Sequence, residues 1–329
     1  MMNFKYPDRI KLANLPTPIV KLRLSELMPT IYLKRDDMTG VALSGNKIRK
    51  LEFVMVDAIR QGADTLITCG GIQSNHCRAT AVAAAMVGMK SFLVLRGEQP
   101  QIPDGNLLLD SIVGSEFRFI TAEDYRDRVM EIMEQVAEDL KKIGRKPYII
   151  PEGASDELGA VGYMHAVKEI KEQMDTFDIR FDAIVCATGS GGTQAGLIMG
   201  CKSHELNADI IGFNVCDDEA YFKTKIRQIV KRAEERFDCD FDIKKEDIKI
   251  IDGYVGLGYA MCRPEEGEFI KEFARLHGFF LDPVYTGKAM YGLYDQIKNH
   301  KIDQYKHLLF LHTGGIFGLF PKRELFHIN

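Results

Sequence analysis

Short apolar runs alternate with longer stretches of helical period along most of this chain, and this alternation limits the fold more than any other feature. Eight runs are almost continuously apolar and are bounded by glycine or charge, as expected for parallel strands covered on both faces. The alternation predicts an α/β fold with right-handed crossovers. The predicted strands are residues 65–69, 91–95, 117–121, 148–151, 183–187, 210–215, 248–252 and 308–311.

Helical periodicity marks the segments between these runs. In residues 129–136, for example, apolar side chains recur at spacings of three and four, which is typical of an amphipathic surface helix. The predicted helices are residues 47–61, 75–87, 123–143, 158–174, 193–203, 219–236 and 265–277.

Composition narrows the classes of function. The chain has 329 residues, 46% of them hydrophobic, a length that favours two domains. Its net charge is −4, and the basic residues are scattered, which argues against a nucleic-acid or membrane-surface partner. Seven cysteines without CxxC spacing predict a reduced compartment and no metal site. With neither a signal peptide nor a membrane span in the sequence, the expected location is the cytoplasm.

A glycine-rich segment, residues 187–196, follows one predicted strand and opens a helix. Its glycines let the backbone approach a ligand, and amides at a helix amino terminus bind anions. Ser190 and Thr193 could add hydroxyl donors. The segment lacks the final glycine of a dinucleotide fingerprint, which favours a phosphate monoester. The alternative is a turn whose small residues serve packing alone.

Lys47 follows Ser44-Gly45-Asn46 at the predicted start of a helix, where Ser44 or Asn46 could cap the first turn. The positive end of a helix disfavours an ammonium group, and imine chemistry needs a neutral amine. Most lysines in such positions are exposed surface residues. An imine-forming lysine together with a phosphate turn indicates pyridoxal phosphate.

Three further polar turns are candidates for ligand binding. Residues 70–76 form an amide-rich turn after a strand, where open α/β sheets bind ligands. Ser74 and Asn75 are suited to cap the following helix, and the free amides there could also bind a substrate carboxylate. Residues 282–288 and 312–315 could each be ordinary loops.

In their order along the chain, these segments resemble the family that contains D-cysteine desulfhydrase and aminocyclopropane-carboxylate deaminase. The resemblance extends nearly from end to end. It is carried by residues 15–18, 34–37, 45–52, 71–76 and 282–285.

The resemblance implies two open, twisted, mostly parallel sheets flanked by helices, the tryptophan synthase β-like fold of type II pyridoxal-phosphate enzymes. It implies a small domain of residues 50–160 and a large cofactor-binding domain of residues 1–49 and 161–329. A small amino-acid substrate and a homodimer are expected on the same grounds.

The resemblance also assigns the cofactor contacts by position. Lys47 would form the Schiff base, Asn75 would contact the phenolic oxygen, and Tyr285 would lie beside the ring. Thr313 would be a further cofactor contact, and Thr286 would take the position near the pyridine nitrogen. The phosphate would be held by Thr188, Gly189, Ser190, Gly191, Gly192 and Thr193.

The same comparison implies how the substrate is bound and converted. Lys47 would remove the Cα proton, and Ser74, Tyr259 or Tyr285 could assist the departing sulfur. The predicted substrate contacts are Ser74, Asn75, His76 and Thr286.

Two positions separate the activities of the family. The deaminases have glutamate and leucine where this chain has Thr286 and Thr313, as the desulfhydrases do. A hydroxyl cannot hold the pyridine nitrogen protonated as a carboxylate does, so the cofactor should be a weaker electron sink. This favours conversion of D-cysteine to pyruvate, hydrogen sulfide and ammonia. The alternatives are aminocyclopropane-carboxylate deamination, a cysteate sulfo-lyase and a non-catalytic cofactor-binding protein.

Overall fold

The computed structural model describes residues 4–23 and 29–326, which form ten strands in two sheets. The strands are β1 (Ile19–Lys21), β2 (Thr30–Lys34), β3 (Thr65–Gly71), β4 (Lys90–Arg96), β5 (Glu116–Ile120), β6 (Pro147–Ile149), β7 (Ala183–Thr188), β8 (Asp209–Asn214), β9 (Lys249–Ile251) and β10 (His307–Leu311).

Nine α-helices flank the sheets within the described residues. They are α1 (Lys47–Arg60), α2 (Asn75–Met86), α3 (Gly105–Ile112), α4 (Ala122–Lys142), α5 (Glu157–Phe177), α6 (Gly192–His204), α7 (Glu219–Phe237), α8 (Pro264–His277) and α9 (Thr286–Lys298).

Both sheets are mostly parallel, as predicted. The larger sheet has the order β1-β2-β10-β7-β8-β9 and combines strands from both ends of the chain. The smaller sheet has the order β5-β4-β3-β6. Among the described strands, only the pair β1 and β2 is antiparallel. The predicted α/β fold class is therefore confirmed.

All the predicted strands and helices are present, with ends shifted by no more than three residues. The sequence pattern missed β1, β2, α3 and α9. Strand β1 is only three residues long, and β2 ends on Lys34, a fully buried charge that apolar periodicity does not detect. Helix α9 begins inside the polar segment 282–288, which the sequence pattern does not distinguish from an ordinary loop.

The main hydrophobic core joins α1, α5 and α6 to the strands of the larger sheet. Helices α5 and α6 approach closely because Gly196 has no side chain: a Cβ there would lie 2.2 Å from the carbonyl oxygen of Ala160. This contact fixes α6, and with it the glycine-rich turn at its amino terminus.

The predicted division into domains is compatible with this arrangement but stays a prediction. The smaller sheet is built wholly from residues 65–149, within the predicted small domain. Residues 1–3, 24–28 and 327–329 of the predicted large domain lie outside the described part of the chain. Across the described residues, no helix has the length and apolar character needed to cross a membrane.

Candidate active site

One cleft is lined by the turns after β3 and β7 and by the start of α1. Both turns follow the carboxyl ends of parallel strands, where ligands bind in open α/β sheets. Gly192 and Thr286 do not line the cleft. The other predicted site residues do: Lys47, Ser74, Asn75, His76, Thr188, Gly189, Ser190, Gly191, Thr193, Tyr259, Tyr285 and Thr313.

Lys47 is the first residue of α1 and projects its amine into this cleft. Burial lowers the pKa of Lys47 to about 8, although the charge of Glu152 acts in the opposite direction. Burial, rather than the helix end expected from the sequence, is thus the largest cause. A substantial fraction of the amine is therefore neutral near physiological pH, as a nucleophile or base requires.

The expected caps of α1 are wrong. Asn46 occupies the N-cap position, but its side chain makes no capping hydrogen bond; Asn46 Nδ2 instead donates to Thr193 Oγ1 at 3.1 Å. Ser44 Oγ donates to the carbonyl oxygen of Asp37 at 2.8 Å. Asn46 thus ties the Lys47 segment to the glycine-rich turn across the cleft, and Ser44 ties it to the preceding loop.

The glycine-rich turn joins β7 to α6 through Gly191, whose φ of +80° favours glycine. The first amides of α6 lack helical partners and point to the cleft end of the helix. Thr188 has no free hydroxyl hydrogen for a phosphate, since its Oγ1 donates to Gln194 Oε1 at 2.7 Å. Ser190 and Thr193 are the hydroxyl side chains that line the cleft here.

Lys50, which sequence reasoning missed, is a second lysine beside this turn. Its side chain is fully buried, and Nζ donates to the carbonyl oxygen of Gly153 at 3.1 Å and to Ser155 Oγ at 3.0 Å. A Cβ on Gly192 would lie 2.7 Å from this Nζ. Burial, followed by the charge of Lys47, holds the pKa of Lys50 well below its usual value. A bound phosphate would give Lys50 the negatively charged partner that it lacks among the described residues.

The turn after β3 presents Ser74, Asn75 and His76 to the cleft. Ser74 caps α2 as predicted, because its Oγ accepts from the backbone N–H of Cys77 at 3.2 Å. Asn75 Oδ1 accepts from Asn106 Nδ2 at 3.0 Å, which leaves the Asn75 amide hydrogens available to a ligand. His76 is buried, and burial holds its pKa well below the usual value, so the imidazole is neutral.

Tyr259 and Tyr285 meet across the cleft, with their hydroxyl oxygens 2.5 Å apart. Burial raises the pKa of both phenols. The Tyr259 loop is held by Lys288, another buried lysine missed by sequence reasoning, whose Nζ donates to the carbonyl oxygens of Val255 and Gly258. Tyr285 thus lies at the start of α9, and Lys288, one turn further along this helix, holds the loop that contains Tyr259.

The two threonines that distinguish the activities differ in their surroundings. Thr313 lines the cleft, and its hydroxyl has no hydrogen-bond partner among the described residues. Thr286 is fully buried, and its Oγ1 donates to Asp282 Oδ1 at 2.7 Å and accepts from the Asp282 amide at 2.8 Å. This placement does not support the predicted substrate contact of Thr286; the residue instead helps to order the turn before Tyr285.

Glu152 is a carboxylate of the cleft that sequence reasoning did not single out. It follows β6 in a segment rich in glycine and charge that resembles an exposed loop. Its Oε1 accepts a hydrogen bond from the hydroxyl of Tyr125 at 2.6 Å. No signal in the sequence joins Tyr125, in α4, to this turn.

These residues fit pyridoxal phosphate. Lys47 supplies an amine for the aldehyde, and the start of α6 together with Lys50 supplies amides and a buried cation for the phosphate. Among the described residues Lys50 has no carboxylate ion pair, so an anion at this position would satisfy a charge that is otherwise costly to bury.

Comparisons with known proteins agree with this fit. A 1-aminocyclopropane-1-carboxylate deaminase, named as putative, from Thermotoga maritima is 45% identical over 95% of this chain and 98% of its own length. The mitochondrial bifunctional D-cysteine desulfhydrase/1-aminocyclopropane-1-carboxylate deaminase of Arabidopsis thaliana is 44% identical over 94% of this chain and 79% of its own.

A solved structure described as an ACC deaminase homologue superimposes with a TM-score of 0.89 at 39% identity, over 98% of this chain and 96% of the other. The sequence profile described as "Pyridoxal-phosphate dependent enzyme" matches residues 10–314, from before β1 to just beyond β10. The chain therefore belongs to the family of pyridoxal-phosphate dependent enzymes.

Proposed function

We propose that this enzyme is a lyase that converts D-cysteine to pyruvate, hydrogen sulfide and ammonia. The name of the Arabidopsis relative includes this activity, which supports a lyase acting on a small amino acid. The choice of D-cysteine rests on one observation, the absence of a carboxylate at Thr286 and the neutral Thr313 hydroxyl in the cleft.

Lys47 is the proposed base. When bound, pyridoxal phosphate withdraws electrons from the substrate Cα and so makes the Cα proton acidic. The Lys47 amine takes this proton, and its pKa of about 8 suits a base that works near neutral pH. Loss of the proton is coupled to cleavage of the bond between Cβ and sulfur.

The substrate carboxylate is proposed to bind at the turn that begins α2. The backbone amides from Ser74 to His76 lie at a helix amino terminus, which favours an anion. Binding there would orient Cα toward Lys47 on the opposite side of the cleft. The amide of Asn75 is then available to the cofactor's phenolic oxygen.

The tyrosine pair is proposed to assist the departing sulfur. Tyr259 and Tyr285 share one hydroxyl hydrogen between them, so the second hydrogen of the pair is free to point into the cleft. Because burial raises the pKa of both phenols, each keeps its proton at neutral pH. One donor is therefore available to a developing hydrosulfide.

Product analysis tests this proposal. Purified holoenzyme should release pyruvate and sulfide from D-cysteine, and less from L-cysteine. Thr313→Leu, which replaces a cleft hydroxyl with the residue that the deaminases have at this position, should reduce this release several-fold. Release of 2-oxobutyrate from aminocyclopropane-carboxylate, with no pyruvate from D-cysteine, would contradict the proposal.

Deamination of aminocyclopropane-carboxylate is the second candidate. It is supported by the names of the Thermotoga and Arabidopsis relatives and of the superimposed structure. That reaction opens a cyclopropane without a leaving group and needs a stronger electron sink. The same product assay separates the two, since only this substrate yields 2-oxobutyrate.

We also propose that the enzyme is a homodimer. The resemblance to the family implies a homodimer, and Phe280 and Phe320, which expose 57% and 54% of their surface, line one mostly apolar groove that a partner could cover. Light scattering after gel filtration should give twice the chain mass of 37.2 kDa. A monomeric mass at micromolar concentration would exclude a stable dimer.

A further inference from the structure

We propose that Glu152 selects substrates by the charge of the β-substituent, admitting neutral and cationic substituents and rejecting those that are already anionic when they bind. This inference rests on the proposed β-elimination and deepens it, because it assigns the substrate class that the cleft accepts. Among the alternatives raised by the sequence, it argues against a sulfonate such as cysteate.

The backbone places Glu152 beside the reacting centre. Glu152 opens a short 3₁₀ turn after β6, and Gly153 follows with φ of +67°. A Cβ on Gly153 would lie 3.1 Å from Lys47 Nζ and 2.6 Å from Ser190 Oγ. The turn therefore lies directly against the proposed base, and the Glu152 side chain lines the same cleft as Ser74.

A single hydrogen bond orients the carboxylate. The hydroxyl of Tyr125, itself buried, donates to Glu152 Oε1 at 2.6 Å. Glu152 Oε2 has no partner, and Glu152 forms no ion pair with any described residue. The cleft thus contains an exposed carboxylate that one hydrogen bond orients, with its second oxygen free for a substrate.

The charge of Glu152 reaches groups on several sides of the cleft. Burial is the largest influence on the pKa of Lys47, Tyr259 and Tyr285: it lowers that of the lysine and raises those of the two phenols. The negative charge of Glu152 raises the pKa of all three groups. These residues come from α1, from the loop before α8 and from the start of α9. A substituent on the substrate Cβ, held among them, would experience the same field.

Positive groups nearby do not cancel this charge. The guanidinium of Arg96 lies 5.1 Å from the ring centroid of Tyr125 and 4.7 Å from that of Tyr259, so it is stacked behind these rings. Arg96 does not line the cleft and forms no ion pair with Glu152. Lys50 lies at the phosphate turn, where its charge would be matched by the cofactor.

The chemistry of elimination makes the sign of this field decisive. The Cα–H and Cβ–X bonds break, the Cα=Cβ double bond forms, and X departs with the bonding electron pair; water then releases pyruvate and ammonia. A sulfonate departs as the sulfite dianion, so its negative charge grows beside Glu152 during the reaction. An ammonium substituent departs as neutral ammonia, and Glu152 favours it on binding.

Three substrates of different charge test the proposal, since each gives pyruvate by the same elimination. They are D-cysteate (anionic), β-chloro-D-alanine (neutral) and D-2,3-diaminopropionate (cationic at the β-amine). The kcat/KM of the wild-type and Glu152→Gln holoenzymes is measured from pyruvate release. For each enzyme, the kcat/KM of a charged substrate is divided by that enzyme's own kcat/KM for the neutral substrate, so that a general loss of activity in the variant cancels.

In Glu152→Gln, the relative kcat/KM for D-cysteate should rise about tenfold, the effect of an interaction of ~1.4 kcal/mol. The relative value for D-2,3-diaminopropionate should fall by about the same factor, mainly through KM. Glu152→Asp retains the charge and should stay close to the wild type. Glu134→Gln is the control: Glu134 is exposed in α4 and has no hydrogen bond or ion pair within residues 4–23 and 29–326.

The inference would be overturned if the relative kcat/KM values for D-cysteate and D-2,3-diaminopropionate were the same in the wild type and Glu152→Gln. It would also be overturned if both enzymes converted only the neutral substrate. A shift of the same size in Glu134→Gln would also overturn it, because the effect would then be one of net charge. If the wild type releases pyruvate from none of the three substrates or from D-cysteine, the proposed function fails instead.

Discussion

The two sides of helix α1 bury positive charge in opposite ways. On the side away from the cleft, Arg49 donates to both Asp36 and Glu169, with distances from 2.8 to 3.0 Å. On the cleft side, Lys47 and Lys50 have no carboxylate partner within the described residues. A paired buried charge stabilises the scaffold, whereas an unpaired one costs stability and is available for a ligand.

The pKa values express the same contrast. Burial alone would lower the pKa of Arg49, but Asp36 and Glu169 outweigh it and hold the pKa above its usual value. Burial of Lys47 and Lys50 is not offset in this way, and both pKa values fall. Residues within one turn of a helix thus differ because Asp36 and Glu169 pair directly with Arg49, whereas Glu152 and Asp156 act on Lys47 and Lys50 without an ion pair and do not offset burial.

The largest expected effect is the loss of activity in Lys47→Ala. Because Lys47 is the proposed base, release of pyruvate should fall by at least ~10³-fold. The folded state should be unaffected, since the Lys47 amine makes no hydrogen bond to any residue that the structure describes. Pyruvate release and the thermal unfolding temperature are measured together. Activity above a hundredth of the wild type would remove Lys47 from the chemical step.

Arg49→Met and Lys50→Met form a matched pair on the two sides of α1. Arg49→Met leaves Asp36 and Glu169 buried without their partner and should lower the free energy of unfolding by about 3–5 kcal/mol. Lys50→Met removes an unpaired buried charge, so the apoenzyme should lose no stability, while its affinity for the cofactor should fall. Urea unfolding of both apoenzymes and titration with pyridoxal phosphate provide the measurements.

If Lys50→Met destabilises the apoenzyme as much as Arg49→Met does, the two sides of α1 are equivalent and the comparison fails. If Lys50→Met retains the wild-type affinity for pyridoxal phosphate, the comparison of stability stands but the proposed phosphate contact does not.

The sequence predicted the sheets and the cleft well because both depend on local signals. Apolar runs mark the strands, and the turns at 70–76 and 187–196 follow two of them. Each turn lies at the carboxyl edge of its own sheet, where open α/β sheets bind ligands, but the periodicity alone does not predict that the two sheets face each other. The positions of Lys47, Ser74 and Asn75 in one cleft follow from this topology and the resemblance to the family.

Buried charges were not predictable in this way. In the segment that begins α1, Arg49, Lys50 and Glu52 resemble an exposed polar face, yet each is at most 1% exposed. Their burial depends on partners far away in the chain, such as Glu169, which is 120 residues from Arg49. Glu152 was missed for a different reason: it is exposed, as the sequence suggests, but its place in the cleft depends on Tyr125, which lies in another element.

A smaller effect is expected in the pH dependence of Lys47. The folded apoenzyme should release the Lys47 proton near pH 8, whereas the unfolded chain holds it up to about pH 10.5. Because the unfolded state binds more protons between these values, the contribution of Lys47 to stability rises with pH across this window and is lost as the pH falls through it.

Labelling of the apoenzyme by an amine-specific acylating reagent, followed by peptide mass spectrometry, measures this titration. Half-maximal labelling of Lys47 is expected near pH 8, and Glu152→Gln should move the midpoint lower because it removes a charge that raises this pKa. The exposed Lys142 serves as the reference. A midpoint for Lys47 equal to that of Lys142 would show that burial does not affect the Lys47 amine.

The smallest expected effect compares one hydroxyl on each side of α1. Thr17 Oγ1 donates to Asp36 Oδ1 at 2.8 Å and accepts from Arg49 at 3.1 Å, within the paired network. Ser155 Oγ accepts from Lys50 at 3.0 Å and lies 2.7 Å from Ser190 Oγ.

Thr17→Val leaves ionised partners short of a hydrogen bond and should cost about 1–3 kcal/mol in urea unfolding of the apoenzyme. Ser155→Ala should cost less, about 0.5–1.5 kcal/mol, because Lys50 keeps the carbonyl oxygen of Gly153 as an acceptor and can give up its charge. Equal costs at neutral pH would show that the cleft side of α1 is held as firmly as the side paired by Asp36.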